Sequence, residues 1–539
     1  MKTTRQPIFQ SLKSAFKIAQ QLHQNPHLNY DDLMEKNEKV TLNRRDFLKH
    51  STVLGLTTLG VGHFLENTPS QRDAFGKGIN EGVFSLKSNP KIAIVGAGIA
   101  GLTAGFYLKK NGIKAALFEA DKRVGGRIKS AKIFGNGMLT TEIGAEFIDT
   151  VNTDMIRLAQ MLGLWDNRID VTEDRFGIKD AFYLDGQHRT LKEVVGEISQ
   201  IIKPMTADRN ALGDNYQTAR AKALDHQSMM EYVENMPLSR WMKNGLYSVY
   251  LGEQGLESYD ISSINLIEVL DIDKKHNEVK FFGESDERYK IRGGNQQITE
   301  GLAEKLKEQI KLEHRLIGIK EKANRSLTLT FENNGKIVEE TFDTVILCIP
   351  FTILREVYFD MELPTSKQLV INELAYGSNT KFIMEFKERV WRQSNYQGYL
   401  FNNDIHNGWD STQQQTSNKG VGTYTVFLGG ADAKNAARGS ENAMSEHYLP
   451  ILNAAFKGAK DNFTMKTELA NWANNPFVKA SYSSFGIGQY TTLSGKAAES
   501  VRNLHFAGEH CSADFWGFMN GGAETGRKAA EKILRKVIR

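Results

Sequence analysis

Short apolar runs alternate with amphipathic segments over much of the chain after residue 90. The run 91–95 (KIAIV) is apolar and β-branched, which predicts a buried parallel strand. A helical pattern follows from Leu102 to Lys110, and a second apolar run extends from Lys114 to Phe118. Strand, helix and strand in this order indicate a βαβ unit within an α/β domain.

A glycine-rich loop, GAGIAG, joins the first strand to the helix. Gly96 permits a tight turn, Gly98 lets the backbone approach a pyrophosphate, and Gly101 lets the helix pack close to the strand. The start of the helix, at Ala100, offers unpaired backbone N–H groups to phosphates. The pattern predicts a dinucleotide-binding site.

Two further features restrict which dinucleotide binds. Glu119 ends the second strand, next to Ala120, where a carboxylate can hold both ribose hydroxyls and disfavours a 2′-phosphate. This leaves NAD or FAD. Gly126 then provides a second close backbone approach, and Arg127 provides a guanidinium suited to phosphate.

Composition excludes several other classes of protein. The 539 residues are 40 % hydrophobic and 24 % charged, which is ordinary for a globular chain and unlike collagen, a coiled coil or a disordered protein. The net charge of +4 comes without a sustained basic block, so nucleic acid is not an expected partner. The two cysteines, Cys348 and Cys511, exclude a disulfide framework and a thiolate zinc site, and no metal site is expected. Cys348, inside an apolar run, is interpreted as a core cysteine.

The N-terminal region has features of an export signal. Arg44-Arg45 precede Phe-Leu-Lys and an apolar, Gly- and Thr-rich run from Ser51 to Leu65. The pattern predicts a twin-arginine-type signal region over 1–65, a linker over 66–90, and a periplasmic or secreted protein that the twin-arginine export machinery carries in folded form. The stretch before the arginine pair is long and no clean Ala-x-Ala site follows, so cleavage stays open. The alternative is a surface helix that begins with Arg-Arg.

Later segments resemble those of the flavin amine oxidase family, which includes monoamine, polyamine and L-amino-acid oxidases. They are the Gly-Gly-Arg segment ending at Arg127, the run 142–147 (EIGAEF), the run 503–509 (NLHFAGE) and the run 517–523 (GFMNGGA). The resemblance covers most of residues 90–539 and implies FAD as the cofactor.

The resemblance also implies particular FAD contacts. Gly508 and Glu509 would meet the pyrophosphate and ribityl chain, the helix N-terminus near Met519 would face the flavin ring, and the backbone of Leu316 would meet the adenine. The complete set of expected FAD-binding residues is Gly96, Gly98, Ala100, Gly101, Glu119, Ala120, Gly126, Arg127, Gly144, Ala145, Glu146, Phe147, Leu316, Gly508, Glu509 and Met519.

Four residues match catalytic positions of the family. Lys381 ends the segment Gly-Ser-Asn-Thr-Lys and matches the lysine that holds a water at flavin N5. Trp472 and Tyr482 have the ten-residue spacing of the family's flavin-side tryptophan and first cage tyrosine, and Phe518 falls on the second cage position. Relatives with covalently bound flavin carry cysteine where this chain has Ser481, so FAD is expected to be non-covalent.

The resemblance implies a Rossmann-like α/β domain that binds FAD and is built from three chain segments, 90–160, 288–365 and 475–539. The insertions 161–287 and 366–474 would form an α+β substrate-binding domain. Alternating residues around Asn333-Asn334-Gly335 predict a hairpin within the second segment.

The first expectation for function is oxidative deamination of an L-amino acid by O₂, which gives a keto acid, ammonia and hydrogen peroxide. Many L-amino-acid oxidases carry an arginine for the substrate carboxylate soon after the Gly-x segment, and 144–149 (GAEFID) holds none. An amino acid would need another cation, for which Arg292 and Arg392 are candidates. Without such a cation Glu146 favours an amine, so a primary amine or polyamine oxidase is the alternative.

Two more distant alternatives lie outside the amine oxidases. A non-catalytic FAD-binding redox protein would keep the cofactor site but not the aromatic cage. An NAD-dependent dehydrogenase is disfavoured by the Gly-Gly-Arg segment and by the C-terminal Gly508-Glu509 block. The oligomeric state is not readable from the sequence, and a homodimer is left open.

Overall fold

The computed structural model describes residues 9–25, 27–34, 90–174, 179–273, 278–281 and 285–537. The Arg44-Arg45 pair and the apolar run 51–65 lie outside these described residues. The chain folds as a mixed α/β protein with parallel and antiparallel sheets. Within the described ranges, no helix combines the length and the apolar character needed to cross a membrane.

Strands and helices are labelled here in chain order. The strands are β1 (Ile92–Val95), β2 (Ala115–Phe118), β3 (Ser130–Phe134), β4 (Leu139–Glu142), β5 (Arg168–Asp170), β6 (Lys179–Leu184), β7 (Gln187–Arg189), β8 (Leu270–Asp273), β9 (Glu278–Phe281), β10 (Tyr289–Ile291), β11 (Ile310–Lys311), β12 (Arg315–Glu321), β13 (Leu327–Asn333), β14 (Lys336–Phe342), β15 (Thr344–Leu347), β16 (Tyr358–Asp360), β17 (Asn379–Phe386), β18 (Tyr396–Asn402), β19 (His406–Asp410), β20 (Gly422–Gly429), β21 (Phe463–Asn471) and β22 (Leu504–Phe506). The helices are α1 (Phe9–Gln24), α2 (30–34, the part that is described), α3 (Ile99–Lys110), α4 (Thr153–Met161), α5 (Leu191–Ala211), α6 (Ala219–Asp225), α7 (Met229–Glu234), α8 (Arg240–Gln254), α9 (Ile264–Ile267), α10 (Gln296–Leu306), α11 (Phe351–Leu354), α12 (Thr365–Glu373), α13 (Val390–Gln393), α14 (Gly430–Ala436), α15 (Glu441–Ala455), α16 (Ala459–Asn462), α17 (Gln489–Leu493) and α18 (Met519–Val537).

A five-stranded parallel sheet contains the predicted βαβ unit. Its strand order is β11-β2-β1-β15-β22, and Ile92 of β1 pairs with Ala115 on one side and Thr344 on the other. All four residues of β1 are buried, as expected for a parallel strand that is covered on both faces. Helices α3 and α18 pack against each other, and a Cβ at Gly526 would lie 2.1 Å from the carbonyl oxygen of Ala100.

A seven-stranded sheet with the order β21-β17-β20-β19-β18-β6-β7 faces the other side of the molecule's main cavity. Its central strands β17 and β20 are antiparallel and buried over their whole length. Strands β6 and β7 come from the insertion 161–287, and the other five come from the insertion 366–474. The boundaries of the two domains stay a prediction.

A third sheet, β14-β13-β12-β16, follows the chain from α10 to α12. Strands β13 and β14 form an antiparallel hairpin in which Asn333 pairs with Lys336, across the turn that the sequence predicts. Leu316 lies near the start of β12, at the end of the strand that meets the cavity.

Helix α1 packs onto the part of the chain assigned to substrate binding. Ala15, Phe16 and Ala19 are buried and belong to the same apolar core as residues of α5. Nearby, Lys192 Nζ donates to a carboxylate oxygen of Asp31 at 2.9 Å. A segment that precedes the arginine pair in sequence is therefore part of the folded body.

Candidate active site

A cavity of about 240 Å³ is lined by residues of both large sheets. Nearly all the residues expected from the sequence line it, although they come from distant parts of the chain. Gly101 is the exception, because it lies on the strand-facing side of α3, where an added Cβ would be 1.9 Å from the carbonyl oxygen of Gly96. The expected residues that line the cavity are Gly96, Gly98, Ala100, Glu119, Ala120, Gly126, Arg127, Gly144, Ala145, Glu146, Phe147, Leu316, Lys381, Trp472, Tyr482, Gly508, Glu509, Phe518 and Met519.

The glycine loop between β1 and α3 forms a cradle at one end of the cavity. Gly96 has a φ of +102°, and an added Cβ there would lie 2.9 Å from the carbonyl oxygen of Cys348. At Gly98 the nearest heavy atom to an added Cβ is the Cα of Gly126, 4.0 Å away. Gly98 therefore faces open space where a side chain would otherwise stand, and a phosphate can approach the N-terminus of α3.

Glu119 is fixed at the end of β2 by backbone N–H groups. Its Oε2 accepts from the N–H of Ala97 at 2.7 Å and its Oε1 from the N–H of Asp121 at 2.9 Å. Burial raises the pKa of Glu119 above its ordinary value, although these hydrogen bonds oppose the rise. A nearly buried carboxylate held in this way suits the two hydroxyls of a ribose, and together with the glycine cradle it fits the adenosine half of FAD.

Glu509 connects three segments of the chain. Its carboxylate lies 2.9 Å from Arg127 Nη1 and accepts from the N–H of Ser483 at 3.1 Å and the N–H of Gly517 at 2.8 Å. Burial alone would raise the pKa of Glu509, but Arg127 and other nearby groups outweigh it and lower the pKa to about 2. The carboxylate of Glu509 therefore binds protein donors from these three segments and holds them together beside Gly508.

Lys381 lies on the central strand β17 and is almost fully buried. Its Nζ donates to Glu146 Oε2 at 2.8 Å and to the carbonyl oxygen of Glu142 at 3.0 Å. Glu146 was predicted from the sequence as a cofactor contact, but its ion pair with Lys381 was not predicted.

Glu146 has two further partners. Its Oε2 accepts from Trp409 Nε1 at 3.1 Å, and its Oε1 lies 3.3 Å from Lys290 Nζ. Burial alone would raise the pKa of Glu146, but Lys381 and Lys290 outweigh this effect and hold the pKa below its ordinary value. Glu146 is therefore a charged carboxylate shared by two lysines and an indole.

The three predicted aromatic residues line the same cavity. Trp472 follows β21, and its Nε1 donates to the carbonyl oxygen of Ile143 at 3.0 Å. The hydroxyl of Tyr482 donates to the carbonyl oxygen of Glu253 at 2.8 Å, so the ring is held in place by its polar end. Phe518 immediately precedes α18.

Sequence reasoning missed four aromatic residues of the cavity wall, Phe118, Trp409, Phe427 and Phe477, and two of these, Trp409 and Phe427, lie near Lys381. Phe427 on β20 is the cross-strand partner of Lys381, and the rings of Trp409 and Phe427 are 5.5 Å apart. Side chains of paired strands that share a register position share a face, which places these residues beside the lysine. Since β20 is buried on both faces, its sequence does not indicate which residues face the cavity.

The structure corrects the suggested roles of Arg292 and Arg392. Arg292 donates to the carbonyl oxygen of Gln414 at 3.1 Å, and Arg392 donates to Asp174 at 2.9 Å; neither arginine lines the cavity. Neither is therefore placed to bind a substrate carboxylate there. Cys348, which follows β15, packs against the apolar core as predicted and also lines the cavity.

The described part of the chain contains no group of three or more His, Cys, Asp or Glu side chains placed to hold a metal ion.

Comparison with known proteins identifies the family of this chain. Residues 99–534 match the family described as flavin containing amine oxidoreductase. The chain is 22 % identical over 464 residues to the flavin-containing amine oxidase A of Sus scrofa. This match covers 82 % of this chain and 84 % of that protein. It is 24 % identical over 471 residues to the L-amino-acid oxidase of Daboia russelii, with coverages of 83 % and 90 %.

Solved structures are similar in fold. Cyclohexylamine oxidase from Brevibacterium oxydans superposes with a TM-score of 0.72 at 19 % identity, covering 84 % of this chain and 100 % of that chain. Wild-type putrescine oxidase bound to putrescine superposes with a TM-score of 0.70 at 20 % identity, with coverages of 83 % and 99 %.

Proposed function

The chain belongs to the flavin containing amine oxidoreductase family, and we propose that its substrate is a primary amine with an apolar substituent. The enzyme is a flavin-dependent amine oxidase, and FAD is its cofactor. The proposed reaction converts R–CH₂–NH₂, O₂ and H₂O into R–CHO, NH₃ and H₂O₂. FAD, when bound, accepts the hydride from the carbon next to nitrogen and is recycled by O₂.

The observation that supports an amine is the arrangement of charges around the cavity. Among the described residues, the arginines that line it are Arg123, Arg127 and Arg315. Arg127 is paired with Glu509, Arg123 lies beside Asp121, and Arg315 adjoins the predicted adenine contact. All three are tied to expected FAD contacts, since Arg127 is one itself, Arg123 donates to the carbonyl oxygen of Gly126, and Arg315 precedes Leu316. A substrate carboxylate would therefore enter an aromatic region without an arginine to pair with it. Burying an unpaired charge is costly.

The walls of the other end suit an uncharged group. Phe147, Trp409 and Phe427 form a small aromatic cluster, with 6.3 Å between the rings of Phe147 and Trp409. Tyr482 and Phe518 would align the amine nitrogen and its neighbouring carbon. The amine is proposed to react in its neutral form without a dedicated protein base.

An L-amino acid is the second candidate. It is favoured by the similarity to the L-amino-acid oxidase of Daboia russelii, which is about as strong as the similarity to the amine oxidases. For this chain to take an amino acid, Lys381 would have to bind the carboxylate, although its Nζ already donates to Glu146 and to the Glu142 carbonyl.

The test compares 2-phenylethylamine with L-phenylalanine, because the two molecules differ only by the carboxylate. Anaerobic bleaching of the flavin absorption band should be at least tenfold faster with the amine, a difference of about 1.4 kcal/mol in the barrier. D-phenylalanine controls for a carboxylate in the opposite configuration. Faster bleaching by L-phenylalanine would overturn the proposal in favour of an L-amino-acid oxidase.

Product analysis separates the remaining alternatives. One equivalent each of ammonia and hydrogen peroxide per amine consumed is expected of an oxidase. A yellow protein whose flavin no amine or amino acid bleaches would instead be a non-catalytic FAD-binding redox protein.

A further inference from the structure

A lysine paired with one glutamate presents no net charge to its surroundings. Lys381 and Glu146 are such a pair, with 2.8 Å between Nζ and Oε2, and both side chains are less than a tenth exposed. If the pair stood alone, Lys381 would bring little positive potential to the cavity, because the carboxylate would cancel the charge of the ammonium.

Lys290 changes this balance. It lies on β10, from a different chain segment, with its Nζ 3.3 Å from the second oxygen of Glu146. It also donates to Gln413 Oε1 at 2.8 Å, and its side chain does not line the cavity. The Nζ lies 5.4 Å from the centre of the Phe147 ring, which does line it. Lys290 therefore lies outside the cavity, next to the Phe147 ring, whereas Lys381 lines the cavity.

We propose that Glu146 is a positioning residue for Lys381, and that Lys290 offsets the charge of Glu146 so that the three groups present one net positive charge to the flavin. The proposal rests on the proposed function only in placing the flavin ring against Lys381. Glu146 fixes the ammonium and the Trp409 indole from one oxygen, and Lys290 holds the carboxylate from the other.

A fourth ionisable group faces this cluster. Glu142 accepts from Ser130 Oγ at 2.6 Å and from the N–H of Asn295 at 2.7 Å, so its carboxyl is held apart from both lysines. Burial raises the pKa of Glu142 to about 7, with the nearby Glu146 contributing to the rise. Glu142 is therefore largely neutral below pH 7, and the charge balance of the cluster is best measured at pH 6.

The experiment measures the midpoint potential of bound FAD by equilibrium reduction against a reference dye. Lys290→Met leaves a neutral Lys381–Glu146 pair and should lower the potential, because positive charge near the ring favours reduction. Glu146→Gln keeps an acceptor for Lys381 but removes the negative charge, and it should raise the potential. Opposite shifts from the two variants are the signature of a charge cluster, which a purely structural role would not produce.

Two controls keep the result interpretable. Lys243→Met removes a similarly buried lysine, paired with Glu234 outside the cavity, and should leave the potential unchanged. Thermal unfolding and FAD content identify any variant that fails to fold. If Lys290→Met does not fold, Glu146→Gln alone tests the proposal: a higher midpoint potential supports it, and an unchanged or lower one overturns it.

The rate of flavin reoxidation gives the functional readout. After reduction with dithionite, which needs no amine, Lys290→Met should be reoxidised by O₂ at least tenfold more slowly than the unaltered enzyme. An unchanged potential in both folded variants, or shifts in the same direction, would overturn the proposal. Because neither measurement uses an amine, failure of the proposed substrate class would leave this test intact.

Discussion

Buried carboxylates around the cavity differ in charge because their partners differ. Glu509 lies 2.9 Å from Arg127, and its pKa is lowered to about 2. Glu142 receives hydrogen bonds from a hydroxyl and a backbone N–H but is not bonded to a cation, and burial raises its pKa to about 7. At the scale of single residues, the nearest donor decides whether burial neutralises an acid or leaves it charged.

Glu142 should make stability depend on pH. Its pKa is about 7 in the folded chain and ordinarily 4.5, so the folded state binds more protons between these values. The free energy of unfolding should therefore fall as the pH rises from 4.5 to 7, by up to about 3 kcal/mol from this group. Glu142→Gln should flatten this slope in urea unfolding of the holoenzyme. Glu304→Gln, at an exposed site, is the control, and an unchanged slope in Glu142→Gln would refute the assignment.

Glu119 should contribute strongly to FAD affinity. Its carboxylate is already oriented by the N–H groups of Ala97 and Asp121, so little reorganisation is needed to bind a ribose. Glu119→Ala removes charge-assisted hydrogen bonds to the ribose, each worth roughly 1.5–3 kcal/mol, and the loss of one of them corresponds to an about 10- to 150-fold larger dissociation constant for FAD. Fluorescence titration of the apoprotein measures it. Glu313→Ala, a nearby acid outside the cavity wall, should bind FAD normally; equal affinities in the two variants would remove Glu119 from the site.

The bond between protein and FAD should be non-covalent. Ser481 lines the cavity, and its hydroxyl donates to Asn379 Oδ1 at 2.6 Å. A serine cannot form the thioether that a cysteine forms at this position in some relatives. Acid precipitation should leave all the flavin in the supernatant as FAD, as absorbance and chromatography of the supernatant would show. Flavin in the washed pellet would contradict the prediction.

The sequence predicts some residues of the site better than others. The glycine loop and Glu119 are recognisable because their function depends on neighbours close in sequence. The partners of Glu146 are Lys290, Lys381 and Trp409, which come from three different strands. Their proximity depends on strand register, which no local pattern specifies.

At the scale of secondary structure, elements with strong local signals were predicted well. The hairpin β13–β14 follows from its Asn-Gly turn and alternating residues, and the strand–helix–strand unit β1–α3–β2 follows from its periodicity. Helix α1 was not predicted, since the polar stretch before the arginine pair was interpreted only as part of an export signal. Its apolar residues Leu12, Ala15, Phe16 and Ala19 do repeat at helical spacing, which is the signal that could have revealed it.

Helix α1 should stabilise the folded protein. Phe16 is 1 % exposed and packs in the core shared with α5. Phe16→Ala should lower the free energy of unfolding by about 3 kcal/mol, within the range for large-to-small changes in cores. Urea unfolding of the full chain measures the loss, and Lys17→Ala at the neighbouring exposed position is the control. A Phe16→Ala variant as stable as that control would show that α1 does not contribute to the fold.

At the scale of the whole molecule, one cavity joins the two large sheets. The parallel sheet supplies the glycine cradle and Glu119, and the antiparallel sheet supplies Lys381, Trp409 and Phe427. The cavity is therefore complete only when segments between Val95 and Gly522 are folded together. A protein of this kind is suited to an export route that carries folded proteins with their cofactors already bound.

We propose that the chain is exported by the twin-arginine route, and the arginine pair provides the test. A twin-arginine export receptor would recognise Arg44-Arg45 as a pair, so changing both to lysine keeps the charge but removes the guanidinium groups that it would bind. The double variant should remain in the cytoplasm as folded, yellow, active enzyme, whereas the control Lys49→Arg should be exported. Fractionation with activity and flavin absorbance measures both. Because α1 belongs to the folded body and precedes the pair, the exported enzyme should also retain α1, which mass spectrometry can establish. Unaltered export of the double variant would leave the arginine pair without a role in transport.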